Sequence, residues 1–591
     1  MSNILNSDFP LSKDSYLSFD GLTIKEKIRQ RLNQTGVFTD QNFEGSNLAA
    51  LNDVIAMVFS MLMYTLNKTA NEGQFSEATV YENINRIVKI LDYKPLGHQT
   101  ANINFGITAS NISAGTYNIP RYSYIVAGGI KYSLAEDFGF QKTIDTVEET
   151  IDLSSDSNLL YQGTWYEFPT YTAQGIDNEL LYLTVNDNQL VDHSNIHVYV
   201  KPQTGTWTKW NKTQNLYLSS GNAQSYEIRF NEKKRYEIKF GNNINGKGLS
   251  ANDSVAIYYL VSDGKKGEIG ANTLDGKKLQ LFNSVRFNQI VADLEIYNPY
   301  ISQTHLNNVL FSNSCASTYY SEPETVAQIK ENAPGTFRSQ YSLTTATSYE
   351  NFIRSNFSNI VQDVRVVNNQ DYLDGYIRYF YDLGLTNPHL ESRALFNHTK
   401  FSDACSFNNV YCFVVPKTVN NSLGYLTTSQ KSLMITTMKE EKTLTADIVP
   451  LDPVYVAFDF ALSDSNTVGF SDVSATKLVV EKTSNSRRSD ASIISDVNTV
   501  LQTYFTRSSN KLGKLVSVSE LTANILGIEG IKSISTYRPD LALTVNGLRL
   551  VDWNPVYVDA SFEPINGNIQ LGNFQFAYSN TDDYTTRIII N

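Results

Sequence analysis

At 591 residues, with 41% apolar and 18% charged side chains, the chain has length for about four domains of ordinary size and for substantial cores. The 48 basic residues against 60 acidic ones leave a net charge of −12, which excludes the overall basic footprint that duplex nucleic acid requires. Cys315, Cys405 and Cys412 are odd in number and at no recognised spacing, which argues against a disulfide framework and fits a reducing compartment.

The opening MSNILNSDFPLSKDS is polar and has no charged, apolar and small-residue succession of a secretory signal, so synthesis and retention in a cytoplasm are expected. Thr23-x-x-Glu26 has capping-box form, and Leu22, Ile24, Ile28 and Leu32 follow helical spacing to a stop at Gly36, which predicts a short first helix. The next run is different in kind. From Leu48 to Leu66 the apolar residues Leu48, Leu51, Val54, Ile55, Met57, Val58, Phe59, Met61, Leu62, Met63 and Leu66 surround the helix axis, so no single stripe faces one core. Length alone would suit a bilayer, but Asn52, Asp53 and Ser60 interrupt the run and no Lys/Arg flank precedes it, so membrane insertion is not expected. The run reads as the centre of a helical bundle completed by other subunits. A second helix follows, with Val80, Ile84, Ile87, Val88 and Leu91 on one side and a stop at Pro95. Leu48, Leu51, Val54, Ile55, Val58, Phe59, Leu62, Leu66, Val80, Ile84, Ile87 and Leu91 are therefore the expected interface residues.

From His98 short alternating runs replace helical ones: Ala101 to Thr108, Tyr122 to Val126, Leu180 to Val185, Ile196 to Val200, Tyr226 to Phe230, Tyr236 to Phe240 and Val255 to Val261. Evenly spaced strands with Gly, Asn and Ser between them predict a β sandwich or barrel. Beyond a polar connection, Glu322 to Asn332 reads as a helix stopped by Pro334-Gly335. Helix and strand signals then alternate. Ser348 is expected to cap a helix bearing Tyr349, Phe352, Ile353 and Phe357, followed by strands at Ile360 to Val367, Tyr376 to Tyr381 and Val410 to Val415, a helix from Thr428 to Glu441, and a strand from Val454 to Leu462. With Gln340 to Leu343 as an opening strand, this order suits a ferredoxin-like split βαβ unit. A weaker α+β unit follows, with strands near Lys477 to Val480 and Ile531 to Thr536 around a helix carrying Ile493, Val497, Leu501 and Phe505 and another opened by Ser517-x-x-Glu520 and closed at Gly527. The fold class is thus multidomain α+β: a helical bundle segment (1–97), a β-rich middle (98–320), a ferredoxin-like unit (321–465), a second small α+β unit (466–540) and a β-rich tail (541–591).

No catalytic constellation emerges. The six histidines form no HExxH. His193 and His197 are four apart, but His197 lies in a predicted strand, where residues four apart are too far separated to share a metal easily, and His389, His398, Cys405 and Cys412 match no zinc knuckle, so no metal is expected. The glycine-marked stretches Phe240 to Gly248 and Asp263 to Gly270 lack P-loop order and lie between strands, which makes them turns before phosphate cradles. No GxSxG elbow is present. Neither an enzymatic activity nor a cofactor is expected.

Several landmarks in sequence resemble the baseplate J-like and wedge proteins of contractile tails. They are Glu44-Gly45-Ser46-Asn47-Leu48 entering the apolar helix, the Asn83 to Leu91 helix leading to Tyr93-Lys94-Pro95, and Ile119-Pro120 before the strands. Phe240-Gly241 with Gly246, Val255 to Leu260, Gly264, Gly267 and Asn272 are similar to the family's glycine-marked hairpin region. Glu324 to Pro334, Arg338, Thr344 and Ser348-Tyr349-Glu350 are similar to its acidic helix, Ala-Pro turn and ferredoxin-like start. The tail, with Leu550 to Pro555 and Phe574-Gln575-Phe576, looks like the long wedge form of large myophages. Two features depart from the pattern: Asp382 to Asn409 has no counterpart, and Ser348 stands where Asp is common. The resemblance implies a structural subunit of a phage tail baseplate wedge. It implies pairing with a second copy, bundling of the N-terminal helices with another wedge subunit, and contact between neighbouring wedges through the C-terminal domains. Such a ring surrounds the hub and widens when sheath contraction is triggered. A baseplate component of a bacterial contractile injection or secretion system is the alternative reading, and a glycan-binding or glycan-degrading tail protein a more distant one.

Overall fold

The computed structural model describes residues 21–35, 46–153, 158–186, 188–294, 300–339, 342–369, 371–372, 408–418, 423–439, 441–460, 478–506, 510–534, 537–538, 543–544, 550–553, 564–565, 569–579 and 583–590. The expected strand at Tyr376 to Tyr381, most of the polar stretch from 382, and the Gly36 stop lie outside these residues. The chain divides into two compact units, a smaller one of residues up to 94 with 231–233 and 324–333, and a larger one of the remainder.

The smaller unit contains helix α1 (Gly21–Thr35), helix α2 (Asn47–Glu72) and helix α3 (Tyr81–Lys89). Ala49, Asn52 and Ala56 are the buried residues of α2, and their 3-4 spacing makes a narrow stripe of small side chains that lets α1 approach closely. An ion pair between Lys25 of α1 and Asp53 of α2 lies beside it. The core of this unit is elsewhere. Ala78, Ile84, Val88 and Tyr93 pack on Ile329 and Ala333, which belong to helix Val326–Ser339. That helix continues through Pro334, contrary to the stop expected there. Proline removes one intrahelical donor, and burial of Ile329 and Ala333 anchors the turns before it.

In the larger unit the β-rich middle forms several sheets, the largest eight-stranded. Strand Leu190–Lys201 is its spine, antiparallel to Ser254–Ser262 along one edge and to Thr208–Thr213 along the other. It is much longer than the Ile196 to Val200 expected, because a register shift between Val191 and Ile196 absorbs the polar Asp192, His193 and Asn195. Two apolar clusters fill this region, one around Phe105, Ile125, Leu160 and Phe311 and one around Tyr122, Trp165, Tyr258 and Phe287.

The α+β region has a three-stranded sheet in the order Val361–Asn368, Asn409–Pro416, Asp447–Leu451. Helices Ala346–Asn356 and Thr428–Met438 supply its core, with Ile353 and Met434 fully buried. Thr345, not Ser348, is the N-cap of the first helix, and Ser348 returns the bond at the third position of a capping box. The last two strands pair directly and in parallel. No strand lies between them as a split βαβ requires, and Val454–Phe460 joins a different sheet. That strand pairs in parallel with Gln575–Ser579, and Leu478–Lys482 pairs in parallel with Ile588–Ile590. The C-terminal strands therefore complete the sheets of the second α+β segment. At the start of Val454–Phe460 both faces are covered, since Tyr455 enters one apolar cluster and Val456 another.

Candidate functional site

His389, His398 and Cys405 lie outside the described residues, whereas His193 and His197 are held inside the β-rich middle. His193 accepts the Gly97 N–H at 3.1 Å on Nδ1, and the Nδ1 of His197 lies 2.9 Å from the Tyr122 hydroxyl. Burial pushes the pKa of both far below the ordinary imidazole value, so both are neutral. Asp192, next to His193 in the chain, is buried, and its carboxylate accepts the N–H groups of Thr100, Ser194 and Asn195, which pins the register shift. No group of three metal-ligating side chains occurs among the described residues. The Phe240 to Gly248 stretch closes on itself, with Gly241 N–H to Lys247 O and Asn243 N–H to Gly246 O. A Cβ at Gly241 would meet the Gly246 oxygen at 2.2 Å, so close backbone approach within a turn is the reason for glycine there.

The unusual surface is α2. Ser46 Oγ caps its N-terminus, accepting the Ala49 N–H at 3.1 Å. Away from the stripe that meets α1, its apolar side chains are open: Leu51 is 58% exposed, Phe59 51%, Met61 59% and Leu66 61%. Val54, Ile55, Met57, Val58, Leu62 and Tyr64 are exposed as well, and Leu48 is partly buried. Thr65 and Thr69 turn their hydroxyls back onto Leu62 O and Thr65 O at 2.8 and 2.7 Å, so neither interrupts the apolar surface with an unsatisfied group. Two heptad-like seams run along the open side, Leu51, Ile55, Val58, Leu62 and Val54, Met57, Met61, Tyr64, each of the form that accepts a packed helix. At roughly 1.5–3 kcal/mol for full burial of each large side chain, covering ten half-exposed ones would contribute on the order of 10 kcal/mol. Soluble proteins rarely leave such a patch bare. By length and composition alone, α2 could also cross a membrane.

The second predicted element behaves differently. Ile84 and Val88 are fully buried, Ile87 packs partly against them, and only Val80, at 45% exposure, remains open. The expectation that Ile84 belongs to an intermolecular surface is therefore corrected: the 324–333 segment occupies that face. Leu91 is half-buried.

The corner between α2 and α3 is held by Glu72. Val80, the N-cap of α3, offers no side-chain acceptor. Glu72 supplies one from eight residues back, accepting Thr79 N–H at 3.0 Å, Val80 N–H at 3.1 Å and Asn83 Nδ2 at 3.0 Å, with the Thr79 hydroxyl. The side-chain bonds from Thr79 and Asn83, helped by the backbone donors, hold its carboxyl near 2 rather than the ordinary 4.5. Below α3, the Tyr93 hydroxyl donates to the Glu324 carboxylate at 2.9 Å, and Asn332 Nδ2 donates to it at 2.8 Å. Sequence reading missed both contacts. Only the capping requirement of Val80 could have signalled the first.

No family model matches the sequence. Over 378 residues the chain is 22% identical to baseplate wedge protein gp6 of Enterobacteria phage T4, an alignment that takes in 58% of this chain and 50% of that protein. The chain thus spans about half the length of this relative. Two solved structures align with this chain at low similarity. The baseplate of the anti-feeding prophage aligns over 95% of this chain and 90% of its own, at 11% identity and a TM-score of 0.30. The TssK-TssF-TssG baseplate subcomplex of the type VI secretion system aligns over 52% and 81%, at 8% identity and a TM-score of 0.23. Both scores are below the level that establishes a common fold. In sequence, this chain is similar to a phage baseplate wedge protein.

Proposed function

We propose that the chain is a structural, non-enzymatic subunit of a contractile phage tail baseplate wedge, located in the virion. It joins wedges into a ring around the hub and transmits the rearrangement that releases the sheath. The observation that carries this reading is the open apolar surface of α2. A helix with an apolar circumference and only a narrow covered stripe requires helices from other chains, and its two vacant seams suit a second copy of this chain and a helix of another wedge subunit. The similarity to the T4 wedge protein supports the same role. An assembly function is preferred over a bilayer because Asp53 is ion-paired with α1 and Asn52 is buried in the middle of the N-terminal half, positions costly to place in hydrocarbon. In this reading the C-terminal strands meet neighbouring wedges and exchange contacts when the ring widens, which requires two packings separated by a few kcal/mol.

The test is negative-stain imaging of the chain co-expressed with the proteins encoded beside it. A wedge-shaped hetero-oligomer containing this chain is expected. A chain that remains alone through purification would overturn the reading.

A further inference from the structure

Within the larger unit, two junctions differ in character. Where the C-terminal segments meet the three-stranded sheet, side chains from both build one apolar cluster, with Val367, Tyr411 and Val415 against Tyr455, Leu512 and Phe576. The buried Asp363 carboxylate also accepts the Leu512 N–H there at 2.7 Å.

Where the β-rich middle meets the same α+β region, no buried apolar cluster is shared among the described residues. Those of the middle end at Phe311, and that of the α+β region begins at Leu343. The contacts are polar instead. Gln99 Nε2 donates to Asn356 O at 3.0 Å, and Ser358 Oγ donates to Gln99 Oε1 at 2.9 Å. Asn359 Nδ2 donates to Thr100 O at 3.0 Å, and the Tyr319 hydroxyl to Thr418 O at 2.7 Å. Between the two faces lies a cavity of about 390 Å³ with a mixed wall, polar at Thr100, Asp192 and Asn359 and apolar at Leu96, Phe357 and Ile360. The Oδ1 of Asn102, also on its wall, is buried without a protein donor. A space of this size accommodates water at the polar groups on its wall, the Asn102 Oδ1 among them.

We propose that this wet junction is a hinge, about which the α+β sheet and the C-terminal strands turn as one body against the β-rich middle. Water replaces a broken side-chain hydrogen bond at little net cost, whereas separating the Val367–Phe576 cluster exposes apolar surface with no substitute. Rotation therefore concentrates at the polar joint. This inference goes beyond the baseplate reading and is tested on the isolated full-length chain, so either can fail without the other.

The experiment is pulsed electron resonance on doubly spin-labelled protein in a Cys315→Ser, Cys405→Ser background, Cys412 being buried. The first pair, Tyr166→Cys with Ile435→Cys, spans the polar junction. The second, Ile435→Cys with Leu526→Cys, spans the apolar one. All three positions are exposed on regular elements, and the shared label cancels local motion. The expected distance distribution of the first pair is about twofold wider than that of the second. Adding Gln99→Ala and Asn359→Ala should widen the first further and leave the second unchanged. Equal widths, a wider second pair, or a first pair indifferent to the added substitutions would overturn the hinge.

Discussion

Helices α2 and α3 are neighbours in the chain, joined by the Glu72 corner, and meet opposite fates. The apolar residues of α3 form one stripe, and the chain itself supplies the cover, Ile329 and Ala333. Those of α2 encircle the helix, and only Ala49, Asn52 and Ala56 are buried on it among the described residues. A one-sided pattern can be satisfied by one internal partner, whereas an all-round pattern needs more helices than the described residues of this unit supply. The distribution of apolar residues around a helix, rather than their number, thus separates surface covered within the described chain from surface left open in it.

The largest expected effect breaks this contrast at α2. Leu51→Asp or Phe59→Asp should abolish co-purification with co-expressed partners while circular dichroism of the isolated chain stays unchanged, because both side chains are already solvated in the monomer. The complementary substitution at α3 should act on folding. Ile84→Ala removes a fully buried side chain and should cost about 2–5 kcal/mol, read as faster amide exchange across Tyr81–Lys89. The same truncation at exposed Val58 should change stability by less than about 0.5 kcal/mol. Equal losses at the two positions would erase the distinction.

The α2 surface was legible because composition alone carries it: no long-range contact is needed to see that an apolar circumference lacks a single core. The cover on α3 was not legible. Its partner lies 231 residues away, as the Tyr93–Glu324 bond measures, and no local signal names it. Strands with clean alternation, such as Tyr236–Phe240 and Val454–Phe460, fell where expected. Asp447–Leu451 did not, because Pro450 argues against a strand. It is tolerated because this strand is at the edge of its three-stranded sheet. The split βαβ expectation failed on pairing, which depends on which strands meet and is invisible to periodicity.

Smaller effects sharpen the picture of how the α3 side is fixed. Tyr93→Phe withdraws a donor from the buried Glu324 carboxylate and should cost roughly 1–3 kcal/mol in chemical denaturation. The Glu72 corner should report on acid. Its carboxyl titrates near 2 when folded against 4.5 ordinarily, so its contribution is complete above 4.5 and is lost as pH falls toward 2. Exchange of the Thr79 and Val80 amides should accelerate across that window in the native chain and show no such acid transition in Glu72→Gln.

Amide hydrogen exchange along Leu51 to Leu66, compared between the chain alone and the chain in its co-expressed assembly, addresses the role of α2 most directly. Marked slowing confined to the assembly is the result expected from the proposed cover by other polypeptides. Identical exchange in the two samples would mean that nothing binds this surface, and the proposed bundle would be wrong.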